Sequence, residues 1–265
     1  MDLDEALRMM FRVVLAIMLR ESRTRYGDSR FGYLWALIDP VIVMSLMVLL
    51  FGIIGRTSPV AASLPVFILT GYMPFFLMRN VITRGASAAA ANRGLLQYPQ
   101  VAVADIVLAR IVLEVSTATV VYVVLIVALF YGIGEPLSSW FDDPAGIIGA
   151  ALGIFYFCLG SAFFSSGLAR IWPMWPNIWS YISRPLFLLS GVFFTLENLP
   201  TSGRAVMQYN PLAHVLEWFR SVSLPGFESN SYSIVMVLAT GTITGTIGLL
   251  IDRYLVLTGD EEIVG

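Results

Sequence analysis

Six stretches of this chain stay apolar for most of their length: Phe31–Gly55, Leu64–Ile82, Val101–Gly132, Ala145–Ala169, Ile178–Phe194 and Ser233–Leu255. A helix needs about 20 predominantly apolar residues to cross a bilayer. The third stretch is overlong, so part of it is expected to project beyond the membrane, and the fifth is short. Of the 265 residues, 57% are hydrophobic and only 13% charged. That is about half the charge of a soluble domain, which excludes an ordinary enzyme with a solvated surface. The expected fold is all-α and polytopic.

Arginine placement orients the spans, because positive residues collect on the cytoplasmic side. Arg8, Arg12, Arg20, Arg23, Arg25 and Arg30 precede the first span. Arg84 and Arg93 follow the second, Arg170 ends the fourth and Arg253 ends the sixth. On the other side the first loop has only Arg56, and the loop 133–144 carries Glu135, Asp142 and Asp143 instead. Six spans with both termini in the cytoplasm follow.

Before the first span, Asp4, Arg8, Arg12, Ala16 and Arg20 fall four apart, and Leu7, Met10, Phe11, Val14, Leu15, Met18 and Leu19 cover the rest of the helix. A basic amphipathic helix of this kind lies in the membrane interface. Acids at Asp2, Asp4 and Glu5, and arginines among the apolar residues, do not read as a secretory signal. In "RESRTRYGDSRFGYLWALIDP" the arginines form the cytoplasmic anchor, and Tyr33 and Trp35 fall at headgroup level.

Between the fifth and sixth spans, "YNPLAHVLEWFRSVSLPGF" has helical period. Asn210 suits an N-cap and Pro211 the first helical position. Leu212, Val215, Leu216 and Phe219 make one apolar face, with His214, Glu217 and Ser221 directed elsewhere. The helix is too short to cross. With a shorter piece at Arg204–Tyr209 it reads as a re-entrant or interfacial pair on the outer side. Small-residue spacing at Gly149–Gly153 and Gly241–Gly245 suits close helix packing. The organisation is a single membrane domain over 1–265: an interface helix (1–29), spans one to five (31–194), the re-entrant segment (195–232) and the last span (233–257).

Ionisable residues inside a membrane are functional candidates. Asp39 lies in the first span before Pro40, where a kink is expected. Arg79 lies in the second, Arg110 and Glu114 in the third, and Arg184 before Pro185 in the fifth. Each also has a structural reading as a buried ion pair or a snorkelling side chain. For Arg110 and Glu114, the i,i+4 spacing favours a local pair. All sixteen basic residues are arginine, so the lysine that a P-loop places on nucleotide phosphates is missing. Cys158 and His214 are the only residues of their types. That excludes an intrachain disulfide, an H-E-x-x-H site and metal sites built from several His or Cys ligands. A Ser–His–acid triad centred on His214 stays open beside the simpler reading of a polar histidine on an outer-leaflet helix.

Three segments carry a resemblance. "TRYGDSRFGYLWALIDP", "ANRGLLQYPQVAVADIVLARIVLE" and "YNPLAHVLEWFRSVSLPGF" resemble, in register and over nearly the whole chain, the ABC-2 type permeases that export capsular polysaccharide. The resemblance implies a homodimer around a central canal in a bacterial inner membrane. It implies a separate cytoplasmic ATPase dimer that binds ATP and Mg, with no cofactor in this chain. It further implies a lipid-linked polysaccharide cargo, a periplasmic co-polymerase and an outer-membrane channel, and no nucleic acid. No intrinsic catalytic site or metal is expected.

By the same resemblance, the N-terminal helix (Arg8, Arg12) and the segment with Asn92, Arg93, Gln97 and Tyr98 meet the ATPase. Asn210, His214, Glu217 and Arg220 belong to a periplasmic gate. Conduit candidates are Tyr33, Trp35, Asp39, Arg79, Arg84, Trp179, Tyr181 and Arg184. Arginines suit acidic groups, and aromatic rings offer flat faces to sugars. For any ring, a lipid-facing interfacial belt is the competing reading. The competing functions are an exporter of O-antigen or teichoic acid with the same architecture, a secondary transporter, and an intramembrane enzyme acting on lipid-linked sugars. A secondary transporter usually shows repeated halves, and no repeat is visible. For the enzyme, no convincing nucleophile or metal site is present.

Overall fold

A computed structural model describes residues 3–26 and 32–258. Of Tyr33, within the first span, only the backbone is described, so its conduit assignment lies outside the described side chains. The described residues form helices and connecting turns, with no strand among them. In chain order the helices are α1 (Leu3–Tyr26), α2 (Gly32–Ile53), α3 (Leu64–Ala86), α4 (Ala88–Ala91), α5 (Arg93–Leu96) and α6 (Val103–Ile133). Then come α7 (Pro144–Ile171), α8 (Trp175–Leu189), α9 (Thr201–Met207), α10 (Pro211–Ser223) and α11 (Ile234–Thr258).

Local chemistry sets the boundaries. Asp105 accepts a hydrogen bond from the Ala102 amide (2.9 Å) where α6 begins, and Gly134, at φ 78°, ends that helix in the left-handed conformation. Pro144 opens α7 at a position where a missing N–H costs nothing. Among the described residues four helices, α3, α6, α7 and α11, are long and apolar enough to cross a membrane. In α2 the apolar part runs from Leu37 to Ile53, and the helix continues through Pro40.

The fifth expected span is the main departure. Helix α8 starts earlier than the apolar run, at Trp175, and has 15 residues. At about 1.5 Å per residue that is roughly 22 Å, short of the roughly 30 Å hydrocarbon core. Beyond Ser190 the chain turns at Gly191, whose φ of 82° favours glycine. Helix α10 then folds back inside, packed on α7, α3 and α11.

The longest seam joins α7 to α11. It is built on small residues: a Cβ at Gly160 would run into the Gly241 carbonyl, and one at Gly245 would sit 3.2 Å from the Gly160 Cα. The Gly241–Gly245 expectation is thus met. Gly153 accommodates the Trp218 ring, whereas Gly149 faces open space. Arg170 closes the far end of the seam on Asp252, at 2.5 Å.

The Arg110–Glu114 local pair does not form. Arg110 donates to Glu21 of α1 (2.6 Å), to the Arg84 carbonyl (2.8 Å) and to the Ser87 hydroxyl (2.9 Å). Glu114 instead meets Arg84 of α3 at 3.5 Å. Along one helix the two side chains project toward different neighbours, and a buried charge gains more from several fixed partners than from one flexible local one. The start of α6 is therefore clasped by α1 and α4 instead of projecting alone.

Replacing Glu21 with Ala leaves the Arg110 guanidinium, only 9% exposed, without its carboxylate. The expected loss of stability is about 3 kcal/mol, read as a lower unfolding midpoint in detergent. Glu21→Ala combined with Arg110→Met is expected to recover most of it.

Candidate functional site

The shortened α8 poses a problem of backbone chemistry. Its last carbonyls and the turn after them lie among membrane helices, where an unpaired carbonyl costs several kcal/mol. Two residues of the α10 segment solve it. Asn210 donates to the Leu189 carbonyl (3.3 Å) and the Ser190 hydroxyl (3.2 Å) while its own oxygen caps α10 through the Leu212 amide (3.1 Å). Arg220 is fully buried. Its guanidinium donates to the carbonyls of Gly191, Phe194 (3.1 Å) and Val192 (2.7 Å), and across to Phe67 of α3 (3.3 Å). It also stacks 4.0 Å from the Phe67 ring centre. Gly71 makes the room, since a Cβ there would collide with the guanidinium.

The same helix holds the segments on either side of it. Glu217, 1% exposed, accepts from the Leu196 amide (3.1 Å) and the Ser229 hydroxyl (3.0 Å). His214 accepts the Ser233 amide at Nδ1 (3.1 Å), which leaves Nε2 to donate to the Gln208 carbonyl (2.9 Å). Both ring nitrogens are engaged with backbone, so no Ser–His–acid triad is assembled on this ring. His214 and Glu217 do not face away from the packed side as the helical pattern suggests. Every residue from Leu212 to Arg220 is buried, because helices and loops surround α10 on all sides.

Two further residues were not singled out by the sequence. Glu197 accepts from the Ser231 hydroxyl (2.7 Å), the Asn230 amide (2.9 Å) and the Ser229 hydroxyl (3.2 Å). These bonds, the Ser231 hydroxyl first, hold its carboxyl below the usual range against a smaller opposing effect of burial. Arg56 donates to the Phe193 carbonyl (2.5 Å) and lies 4.8 Å from the Phe51 ring centre. Their signal was faint: single charges in short loops between apolar runs.

At the arginine-rich end, Arg93, Gln97 and Tyr98 are exposed, as are Arg12 and Arg8, the last paired with Asp4 (2.8 Å). Asn92 differs from them. It is 4% exposed and donates to Glu21 (2.9 Å) and the Ala88 carbonyl (3.2 Å). It fixes α4 to α1 and presents no surface to a partner.

The conduit candidates lie on α2, α3 and α8. Trp35, Asp39, Arg79, Arg84, Tyr181 and Arg184 are all exposed, with Arg184 lying 5.8 Å from the Tyr181 ring centre. Asp39 and Arg79 both lie within electrostatic range of Tyr72. Trp179 departs from the group. It is 8% exposed and donates to the Thr83 hydroxyl (3.1 Å), so its ring packs the α3–α8 seam.

Comparison with known proteins places this geometry. The family model described as ABC-2 type transporter matches residues 12–224. The chain belongs to the ABC-2 type transporter family. The match runs from α1 through α10 and takes in every candidate residue named above except Arg8. Among ABC-2 relatives, the polysialic acid transport protein KpsM of Escherichia coli is 31% identical over 250 residues, 91% of this chain and 92% of that one. The capsule polysaccharide export inner-membrane protein CtrC of Neisseria meningitidis serogroup A is 32% identical over 220 residues, 82% of this chain and 81% of its own. An O-antigen export system permease protein, RfbA of Klebsiella pneumoniae, is less similar, 24% over 247 residues, covering 93% of each.

Two outcomes follow for this ABC-2 chain. Arg220→Lys replaces a planar fork with one compact ammonium that cannot span four carbonyls. It is expected to cost about 2 kcal/mol and to expose 190–200 to limited proteolysis, while the exposed Arg253→Lys changes neither. The lowered Glu197 carboxyl contributes fully above the ordinary glutamate value of about 4.3. Its contribution is lost only as pH falls through the lower folded value. Exchange at the Asn230 amide, corrected for its intrinsic rate, should therefore stay protected at neutral pH and in mild acid. In Glu197→Gln that protection should already be reduced at neutral pH.

Proposed function

We propose that this chain is the membrane subunit of an exporter that moves lipid-linked capsular polysaccharide outward across the bacterial inner membrane. The observation that carries the reading is similarity along more than nine-tenths of the chain to KpsM, named for polysialic acid transport. CtrC, named for capsule polysaccharide export, supports it over four-fifths of the chain. The lower identity to RfbA ranks O-antigen export second.

Energy comes from a separate ATPase dimer, since the chain has no lysine to build a P-loop. The arginine-rich end, with α1, α4 and α5, faces the cytoplasm by the positive-inside rule. Arg8, Arg12, Arg93, Gln97 and Tyr98 are the docking surface for that ATPase, and Asn92 holds the surface in place from within.

Two copies assemble around a canal. A charged side chain facing lipid at depth is costly, and Asp39 of α2, Arg79 of α3 and Arg184 of α8 are all exposed. Such exposed charges suit a water-filled path shared with a second copy. There the arginines meet phosphate or sugar carboxylate by charge-assisted hydrogen bonds. Trp35 and Tyr181, with Tyr33, offer aromatic faces to sugar rings. Conduction requires such contacts to be weak and repeated. The α8–α10 re-entrant unit, framed by Asn210, His214, Glu217 and Arg220, closes the periplasmic mouth. A periplasmic co-polymerase and an outer-membrane channel carry the polymer onward.

One complementation experiment separates these roles. In a strain lacking the native gene, surface polysaccharide and recovery of the operon's ATPase with the tagged chain are both measured. Arg93→Glu is expected to lose both. Arg79→Ala should keep the ATPase and lose most of the polysaccharide, with Arg79→Lys in between. Wild-type polysaccharide from Arg79→Ala, or a wild-type chain that recovers no ATPase, contradicts the proposal.

A further inference from the structure

Between α3 and α6, midway along both helices, lies a cavity of about 30 Å³ lined by Phe76, Leu77, Asn80, Glu114, Thr117 and Val121, with Ala118 beside them. Most of the wall is apolar, but three side chains in it are not. Thr117 is 6% exposed, and its hydroxyl is buried with no hydrogen-bond partner. A threonine inside a helix usually satisfies its hydroxyl on a carbonyl one turn back. Others in this chain do so: Thr119 donates to the Val115 carbonyl (2.8 Å) and Thr83 to the Arg79 carbonyl (2.8 Å). Thr117 does not, and its residue lines the cavity. Asn80 brings an amide from the α3 side. Glu114, 4% exposed, brings a carboxylate from α6.

The cavity exceeds the roughly 10–15 Å³ that one water requires, and the wall supplies the two to four polar partners a buried water needs. A cation does not suit it, because the Arg84 guanidinium already lies 3.5 Å from Glu114. We infer that this cavity is an internal water site, in which a bound water bridges Thr117, Asn80 and Glu114 and ties α6 to α3 inside the membrane. The water supplies the missing partner of the Thr117 hydroxyl. It also adds a hydrogen bond to the Glu114 carboxylate, which Arg84 meets at 3.5 Å. The inference concerns these side chains alone and does not depend on the cargo.

Unfolding midpoints of the purified full-length chain in detergent test it. Thr117→Val keeps the shape and removes the hydroxyl. With a bridging water it lowers the midpoint, and Thr117→Ser restores it. In a dry cavity Thr117→Val removes an unsatisfied polar group and leaves the midpoint unchanged or raised, which overturns the inference. Thr117 and Asn80 line the same cavity, and a bridge that needs both groups is already lost when either is removed. The combined Thr117→Val and Asn80→Leu variant should therefore lose less than the two single losses added. Full additivity overturns the inference even if each single change destabilises. A map of the complex that shows no density in the cavity, at a resolution where other buried waters are seen, overturns it as well.

Discussion

A single buried guanidinium makes the outer half of this protein possible. A chain that turns around inside a membrane exposes carbonyls that neither water nor lipid will satisfy. Arg220 meets the carbonyls of Gly191, Val192, Phe194 and Phe67 at once. Because those groups are met, α8 can stop short and α10 can enter as a fully packed helix. Gly71 is a consequence of the same arrangement, since any side chain there would occupy the guanidinium's place. The two terminal nitrogens of the guanidinium serve the carbonyls of the turn and of Phe67, and the apolar residues of α10 are left to pack against α3, α7 and α11.

Around this unit the molecule divides its labour. The α7–α11 seam, closed by glycines and by Arg170 with Asp252, forms a close-packed body. At the arginine-rich end, Glu21, Asn92 and Arg110 bind the interface helix to the start of α6 and to α4. A push on the exposed Arg93–Tyr98 surface therefore has a fixed route into α6 and, through the Arg84–Glu114 pair, into α3. Helix α3 also carries Arg79 and supplies the Phe67 carbonyl to Arg220. One helix thus links the arginine-rich end to the re-entrant unit.

Much of this was legible in the sequence, and what was not has a physical cause. Apolar run length gave the long spans, and arginine asymmetry gave the two ends. Asn210–Pro211 marked the start of α10 to the residue, because capping is local chemistry. The end of α8 was not legible. Its apolar run continues through Phe194, and only the Gly191 turn and a partner far along the chain show where the helix stops. The partners of Arg110 were misread for a related reason: the i,i+4 rule describes an isolated helix, and Glu21 lies 89 positions away. Burial of Trp179 and Asn92 likewise depends on neighbours from α3 and α1, so residue type alone could not separate these two from the exposed members of their groups. Asn210, His214, Glu217 and Arg220 stood out in the sequence, but their partners are mostly backbone groups, which no residue pattern reveals.

The proposed function requires that this chain, together with a separate ATPase, move a lipid-linked polysaccharide outward. The most direct measurement uses inside-out vesicles reconstituted with the purified chain, its operon's ATPase and the lipid-linked polymer supplied outside. Polymer is expected to become protected in the lumen only when ATP, the ATPase and the chain are all present. Protection that proceeds equally well without the ATPase, or none with the complete set, would contradict the proposed function.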